Sequence, residues 1–220
     1  RIVRDAGIKV SGLCRGGMFP ADSAEERRRR IDDNRRAVDE AAELGTGVLV
    51  LVCGGLHGRD IAEARKMVAD GIAEVAPYAA ERGIKLGIEP LHPMFAADRS
   101  VIVTLEQANR LAAEIGAPNV GVVIDVYHVW WDPNVYREIE RARGRILGFH
   151  VNDWIVPAPD MLKGRGMMGD GFIELRKLRT AVDEAGYAGP IEVEIFNEEI
   201  WNRPGDEVLA LVKERYLSYV

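Results

Sequence analysis

Thiols, histidines, cationic charge and long apolar runs are all scarce in this chain, and each shortage closes a possibility. Two cysteines in 220 residues, Cys14 and Cys53, cannot staple a disulfide-held secreted scaffold, and a reducing cytoplasm suits them better. No apolar run approaches the ~20 residues that span a bilayer, and nothing at the start reads as a secretory signal. Lys and Arg number 29 against 35 Asp and Glu, and the net charge of −6 speaks against nucleic acid or a membrane surface as partner. Nucleotide-binding glycine signatures are missing too. Gly16-Gly17 and Gly54-Gly55 stand in neither GxGxxG nor GxxxxGK(S/T), so both read as turns. Arg1, not Met, stands first, and residues 1–7 read as the tail of a helix.

What is present is a regular alternation of two periods. Short apolar, β-branched runs at 8–13, 47–53, 85–91, 120–126, 146–152 and 190–196 suit strands buried on both faces. Amphipathic stretches follow them at 23–44, 60–82, 104–115, 134–143, 173–185 and 206–219. Ser23 with Glu26 forms a capping-box start, and Gly45, Gly83, Gly116 and Gly186 are helix stops. The charged run at 25–30 reads as a solvated helix face. Strand–helix alternation implies an α/β fold with a parallel sheet, either open and doubly wound or closed as a (β/α)8 TIM barrel. The barrel demands polar chemistry at the carboxyl ends of several strands.

That demand is met. All four histidines, His57, His92, His128 and His150, lie at or just beyond the end of an expected strand. Counting by two along the strands puts Glu89, Asp125, His150 and the pair Glu192 and Glu194 on inward faces near those ends. A buried carboxylate is costly unless it is paired or holds a metal. Glu89, Asp125, His150 and Glu194 offer three carboxylates and one imidazole, and a structural polar layer is the competing reading. Without thiolates the set suits one divalent ion, manganese first, with magnesium, cobalt or zinc as alternatives. Cys14 and Cys53 read as small core thiols.

The segments GIEP (87–90), VIDVYH (123–128), GFHVND (148–153) and EVEIF (192–196) resemble the xylose-isomerase-like sugar isomerase/epimerase superfamily in order, placement and Asp-x-x-His spacing, over essentially the whole chain from about Ile8. The resemblance implies a (β/α)8 barrel holding a divalent metal on Glu89, Asp125, His150 and Glu194. It also implies that His128 contacts a substrate oxygen, and that Glu89 and Glu194 exchange protons with opposite faces of a substrate carbon, as in ketose 3-epimerases. Removing a proton beside a carbonyl makes an enediolate, whose charge a Lewis acid stabilises. Two epimerase features are absent: Phe95 replaces the second Glu six residues after Glu89, and Val156 the Arg six residues after His150.

The stretch EPLHP (89–93) also resembles the catalytic subunit of bacterial C-glycoside deglycosidases, in which the His corresponding to His92 acts as base on a 3-oxo-glycoside. His92 is therefore a candidate base, a substrate hydrogen-bonding group or a residue orienting a ligand. Arg99 and Arg165 are candidates for a substrate phosphate or carboxylate. Trp130, Trp131, Trp154 and Trp201 follow the metal-bearing strands, and Trp131 and Trp154 are candidates to stack on a sugar ring. The expected activity is a metal-dependent sugar isomerase or epimerase, with the C-glycoside lyase and a keto-cyclitol dehydratase as alternatives. A DNA-repair barrel of the endonuclease IV kind fits poorly with four histidines and a net charge of −6. The partner is then a small sugar or sugar derivative. Barrels of this class pair, so a homo-oligomer is expected, or a small accessory subunit for a deglycosidase.

The motifs make the strands they occupy the fifth to eighth of a barrel, and six units fall about two short of the ~250 residues typical of the fold. The expectation is a single TIM-barrel domain over residues 1–220 that lacks its first two β/α units, with Arg1 lying inside a longer protein.

Overall fold

The computed structural model describes residues 2–58 and 60–220, so Arg1 lies outside the described residues. Its helices are α1 (Ile2–Asp5), α2 (Ala24–Leu44), α3 (Ile61–Glu81), α4 (Leu105–Ile115), α5 (Val126–Val129), α6 (Val135–Arg141), α7 (Leu175–Glu184), α8 (Glu198–Trp201) and α9 (Gly205–Tyr219). The strands are β1 (Leu13–Gly17), β2 (Val48–Val52), β3 (Lys85–Glu89), β4 (Val120–Asp125), β5 (Ile146–Val151), β6 (Asp153–Trp154), β7 (Arg165–Gly166) and β8 (Ile191–Val193). Six of them form one parallel sheet in the order β1-β2-β3-β4-β5-β8, while β6 and β7 make a small antiparallel ladder.

The strand order decides between the two architectures. A doubly wound sheet reverses its order at a switch point. Here each strand adds beside its predecessor in chain order, so right-handed crossovers lay successive helices on the same face. The sheet is a curled half-barrel, part of a (β/α)n TIM barrel. It curls enough that Gly12, just before β1, comes close to Glu192 of β8: a Cβ built on Gly12 would lie 3.4 Å from Glu192 Oε1.

The outward face carries the apolar load. Leu49, Leu51, Leu86, Ile88, Val122, Ile124, Phe149 and Val151 pack with Val38, Val68, Ile72, Leu105 and Leu178 from the helices into one continuous core. The helices begin where capping residues collect orphan amides. Ser23 Oγ accepts from Glu26 N, Asp60 caps α3 and Thr104 caps α4. Gly45 and Gly116, both left-handed, close α2 and α4.

The first strand differs from the sequence expectation. Residues 8–12 are irregular, and the strand is Leu13–Gly17, paired with β2 from Leu13 opposite Leu49 to Gly17 opposite Val52. Residues 8–13 carry the β-branched signal, but 16–17 carry the packing constraint. A Cβ on Gly16 would press on Asn34, Leu49 and Leu51, and one on Gly17 would collide with the Val52 carbonyl. Glycine in a strand marks such close approach, and propensity counts against it. Gly17 has φ +106 and is clamped by buried Asn34, which accepts from Gly17 N at 2.6 Å and donates to Gly17 O at 2.8 Å. Gly17→Ala is therefore expected to cost about 2 kcal/mol or more, ~4–8 °C in Tm for a chain of this size. Thermal unfolding checks this, and an unchanged Tm contradicts it.

Candidate active site

Four strands deliver one polar cluster. Glu89 ends β3, Asp125 ends β4, His150 lies near the end of β5, and Glu194 follows β8. Each contributes one ligand atom to a group lying within 4.8 Å of one another. Glu89, Asp125 and His150 are buried, and Glu194 is open to the cavity above them. His150 Nδ1 lies 3.4 Å from Glu89 Oε1 and 3.5 Å from Glu194 Oε2, while its Nε2 faces Glu192 Oε2 at 3.8 Å. Glu89 Oε1 and both His150 nitrogens are nonetheless buried without a hydrogen bond. Buried polar atoms left in that state imply a missing partner.

The electrostatics ask for a cation. Burial raises the Glu89 carboxyl, and the neighbouring Glu194 and Asp125 charges push it further against the pull of His150. Burial would lower the His150 imidazole, but the carboxylates of Glu194 and Glu89 outweigh it and hold the ring at about 11. Burial works to raise Asp125 as well, yet Arg165, His128 and His150 keep its carboxyl well below the usual range. Three carboxylates and one imidazole, with Glu89 Oε1 and the His150 nitrogens unbonded, fit a divalent ion that Glu89, Asp125, His150 and Glu194 could hold.

Arg165 sits inside this cluster. Its Nη1 donates to Asp125 Oδ2 at 2.7 Å, to Glu194 Oε2 at 2.9 Å and to the Glu194 carbonyl at 3.2 Å. The guanidinium lies between the Tyr127 and Phe196 rings, 4.8 and 4.9 Å from their centroids, and the residue is 4% exposed. Asn152 Nδ2 donates to Asp125 Oδ1 at 2.9 Å and to the Glu194 carbonyl at 3.1 Å. Both side chains orient carboxylates of the cluster.

His128 accepts a hydrogen bond from His92 N through Nδ1 at 3.1 Å. Burial pushes its pKa down to about 3, and its Nε2 lies 3.3 Å from Arg165 Nη2 and 3.7 Å from Asp125 Oδ2. His92 Nδ1 accepts from Met94 N, and its ring stacks on Trp154 at 5.1 Å and meets Trp131 edge-on at 5.6 Å. Burial lowers the His92 pKa and favours the neutral ring. Trp154 also packs on Tyr127 and Trp130. Trp201 stands apart, half-exposed against Phe196.

The cavity over the cluster has a volume of about 440 Å³ and is lined by Cys14, Glu89, His128, Arg165, Glu194 and Phe196 among others, with Arg15, Asp98 and Arg99 also on its wall. The expectation of two core thiols holds for Cys53 but not for Cys14. Cys53 is fully buried, whereas Cys14 lines the cavity, where desolvation and the Glu89 and Glu194 charges push its thiol up to about 12. His57 lies elsewhere, 3.3 Å from Asp22.

Sequence reasoning overlooked Asn152, Arg15 and Asp153. Asp153 Oδ2 accepts from Gly169 N and Gly171 N, and Oδ1 from Trp154 N and Ile173 N, all between 2.9 and 3.0 Å. One buried carboxylate thus ties down the glycine-rich loop that carries Arg165. The available signal was the Asn-Asp pair directly behind an apolar strand, where two adjacent polar residues call for partners.

A profile of the xylose isomerase-like TIM barrel matches residues 1–215. The chain belongs to that family. Among relatives, it is 30% identical over 203 residues to a 3-dehydroshikimate dehydratase of Pseudomonas aeruginosa, covering 90% of this chain and 31% of that protein. It is 22% identical over 200 residues to the L-ribulose-5-phosphate 3-epimerase UlaE of Escherichia coli O157:H7, covering 88% and 67%. The chain thus spans about a third of the dehydratase it matches. Protein SMc04130 from Sinorhizobium meliloti 1021 superposes with a TM-score of 0.97 at 55% identity, over 100% of this chain and 81% of that one. A structure of IOLI protein with a binding zinc atom shares the fold with a TM-score of 0.83 at 22% identity, over 97% and 77%. No helix among the described residues is long and apolar enough to cross a membrane.

Within this xylose isomerase-like barrel the Asp153 knot is open to test. Asp153→Ala strips four backbone amides of their acceptor, and bonds to a charged group are worth ~1.5–3 kcal/mol each before water replaces some of them. A loss of about 2–4 kcal/mol is expected, with faster protease cleavage between residues 155 and 172. Unchanged cleavage and Tm contradict it.

Proposed function

We propose that this chain forms the catalytic centre of a divalent-metal-dependent isomerase or epimerase acting on a keto sugar or a related polyol. The observation that carries the reading is the convergence of Glu89, Asp125, His150 and Glu194 with buried donor atoms left unbonded. Relatives that include an L-ribulose-5-phosphate 3-epimerase and an inosose isomerase support the same class of reaction.

A divalent ion, manganese first and magnesium, cobalt or zinc as alternatives, supplies Lewis acidity toward a carbonyl and its neighbouring hydroxyl when bound. The chain's residues do the remainder. Glu89 and Glu194 come from strands with β4 and β5 between them, so they flank a substrate from two sides. One carboxylate takes the proton from the carbon beside the carbonyl, the C–H electron pair forms a carbon–carbon double bond, and the carbonyl π pair passes to its oxygen. The other carboxylate returns a proton to the opposite face with the carbonyl re-formed, giving the epimer, or, after the hydroxyl proton has moved to the former carbonyl oxygen, to the neighbouring carbon, giving the isomer. His128, which lines the cavity, hydrogen-bonds a substrate oxygen, and His92, packed against Trp154 and Trp131, supports it through the His92 backbone amide. A neutral His92 is also available as base.

A second reading has its own support in the 30% identity to a 3-dehydroshikimate dehydratase. The first proton transfer is the same, and hydroxide then leaves from the adjacent carbon. The C-glycoside lyase reading rests on the EPLHP resemblance alone.

Glu89→Gln and Glu194→Gln are each expected to slow exchange of substrate hydrogen with solvent deuterium by ~10²–10⁴-fold. Chelation is expected to abolish exchange in the parent, and added divalent ion to restore it. Mass spectrometry of ketoses and keto-cyclitols in deuterium oxide reads both, and exchange preserved in both variants removes the assigned roles.

A further inference from the structure

The cavity over the carboxylate cluster has two poles. Its floor is the acidic group of Glu89, Asp125 and Glu194, and Arg165 is already committed there. Bonded to both carboxylates through Nη1, wedged between Tyr127 and Phe196 and almost fully buried, Arg165 has most of its charge engaged by the floor, with Nη2 3.3 Å from His128 Nε2 and Nε left unbonded. The wall carries two further guanidiniums, Arg15 directly after Cys14 and Arg99 after the turn that follows β3. Neither forms an ion pair with any described carboxylate. The Arg15 Nη1 contact is Met18 Sδ at 3.4 Å, a weak acceptor, and the Arg99 guanidinium rests 5.7 Å from the Phe95 ring centroid. Asp98 is the acidic residue on the same wall, so two positive charges face one negative charge.

We propose that Arg15 and Arg99 form an anion subsite, and that the substrate is a keto sugar or keto-cyclitol bearing a phosphate or carboxylate remote from its reacting carbonyl. The proposal rests on the metal-dependent proton-transfer reading for the orientation of the reacting end. An oxyanion gives each guanidinium a charge-assisted acceptor, and a planar fork matches either oxyanion with two parallel bonds. A neutral sugar in the same cavity leaves both forks facing hydroxyls, which bond them less strongly. Discrimination therefore comes from Arg15 and Arg99, while the carboxylate floor handles the keto end of either substrate. Arg165, for all its suitability by residue type, acts on the floor.

The test uses the full chain loaded with manganese, its Arg15→Met and Arg99→Met variants and the double variant. Titration calorimetry compares ribulose 5-phosphate with ribulose for a phosphate, and 3-dehydroquinate with an inosose for a carboxylate. In the parent, at least one anion is expected to bind ~10–100-fold tighter than its neutral counterpart, a difference of about 1.4–2.8 kcal/mol. That ratio is expected to fall toward one in the double variant and to shrink with added salt. The pair showing the preference identifies the oxyanion. No preference in the parent for either pair, or a preference that survives in the double variant, overturns the subsite. Deuterium exchange on the same compounds separates the two readings. Equal exchange on ribulose and its phosphate without a binding preference removes the subsite and leaves the proton-transfer reading standing. A preference lost in the double variant with no exchange on any compound retains the subsite and removes that reading.

Discussion

Three carboxylates gathered at the end of a sheet, within 4.8 Å of a shared imidazole, form the constraint around which this molecule is arranged. In a medium of low polarity such a cluster repels itself, and each charge loses hydration it had in the unfolded chain. The surrounding structure is a set of answers. Arg165 supplies a fixed positive charge to Asp125 and Glu194, and Asn152 and the Tyr127 amide donate to Asp125. What these leave unmet, on Glu89 Oε1 and on both His150 nitrogens, is bonding capacity of the kind a divalent ion could use.

That constraint was also the most legible part of the sequence. Glu89, Asp125, His150 and Glu194 stand at the ends of apolar runs whose period of two fixes their direction, so their convergence follows from alternation and barrel order together. The alternation alone fits a doubly wound sheet as well, and the strand order without reversal was legible only through the polar residues at the strand ends. Legibility fails where the signal is the absence of a side chain. Gly16 and Gly17 belong to β1 because neighbouring side chains and the β2 backbone come too close for anything larger, and propensity points to residues 8–13 instead. It fails again where one residue type serves two roles. Arg165 and Arg99 look alike in sequence, and only burial shows that the first neutralises the floor while the second lacks an acidic partner. Asn152 and Asp153, adjacent in sequence, diverge in the same way, one serving Asp125 and the other a loop.

The pairing of β6 with β7 gives the cavity rim an independent degree of freedom. Trp154 and Arg165 are registered opposite each other, and Asp153 fastens the chain again at Gly169, Gly171 and Ile173. The residues between 154 and 165 therefore leave and rejoin the fold at neighbouring points, as a compact surface loop does. The entropy of closing such a loop grows slowly, by about 0.6 kcal/mol for each doubling of its length. Insertions or exchanges there can reshape the roof over the cavity while the two strands that hold the roof, and the Glu89, Asp125, His150 and Glu194 cluster beneath it, keep their places. Variation in what the barrel accepts is thereby separated, along the chain, from the chemistry it performs.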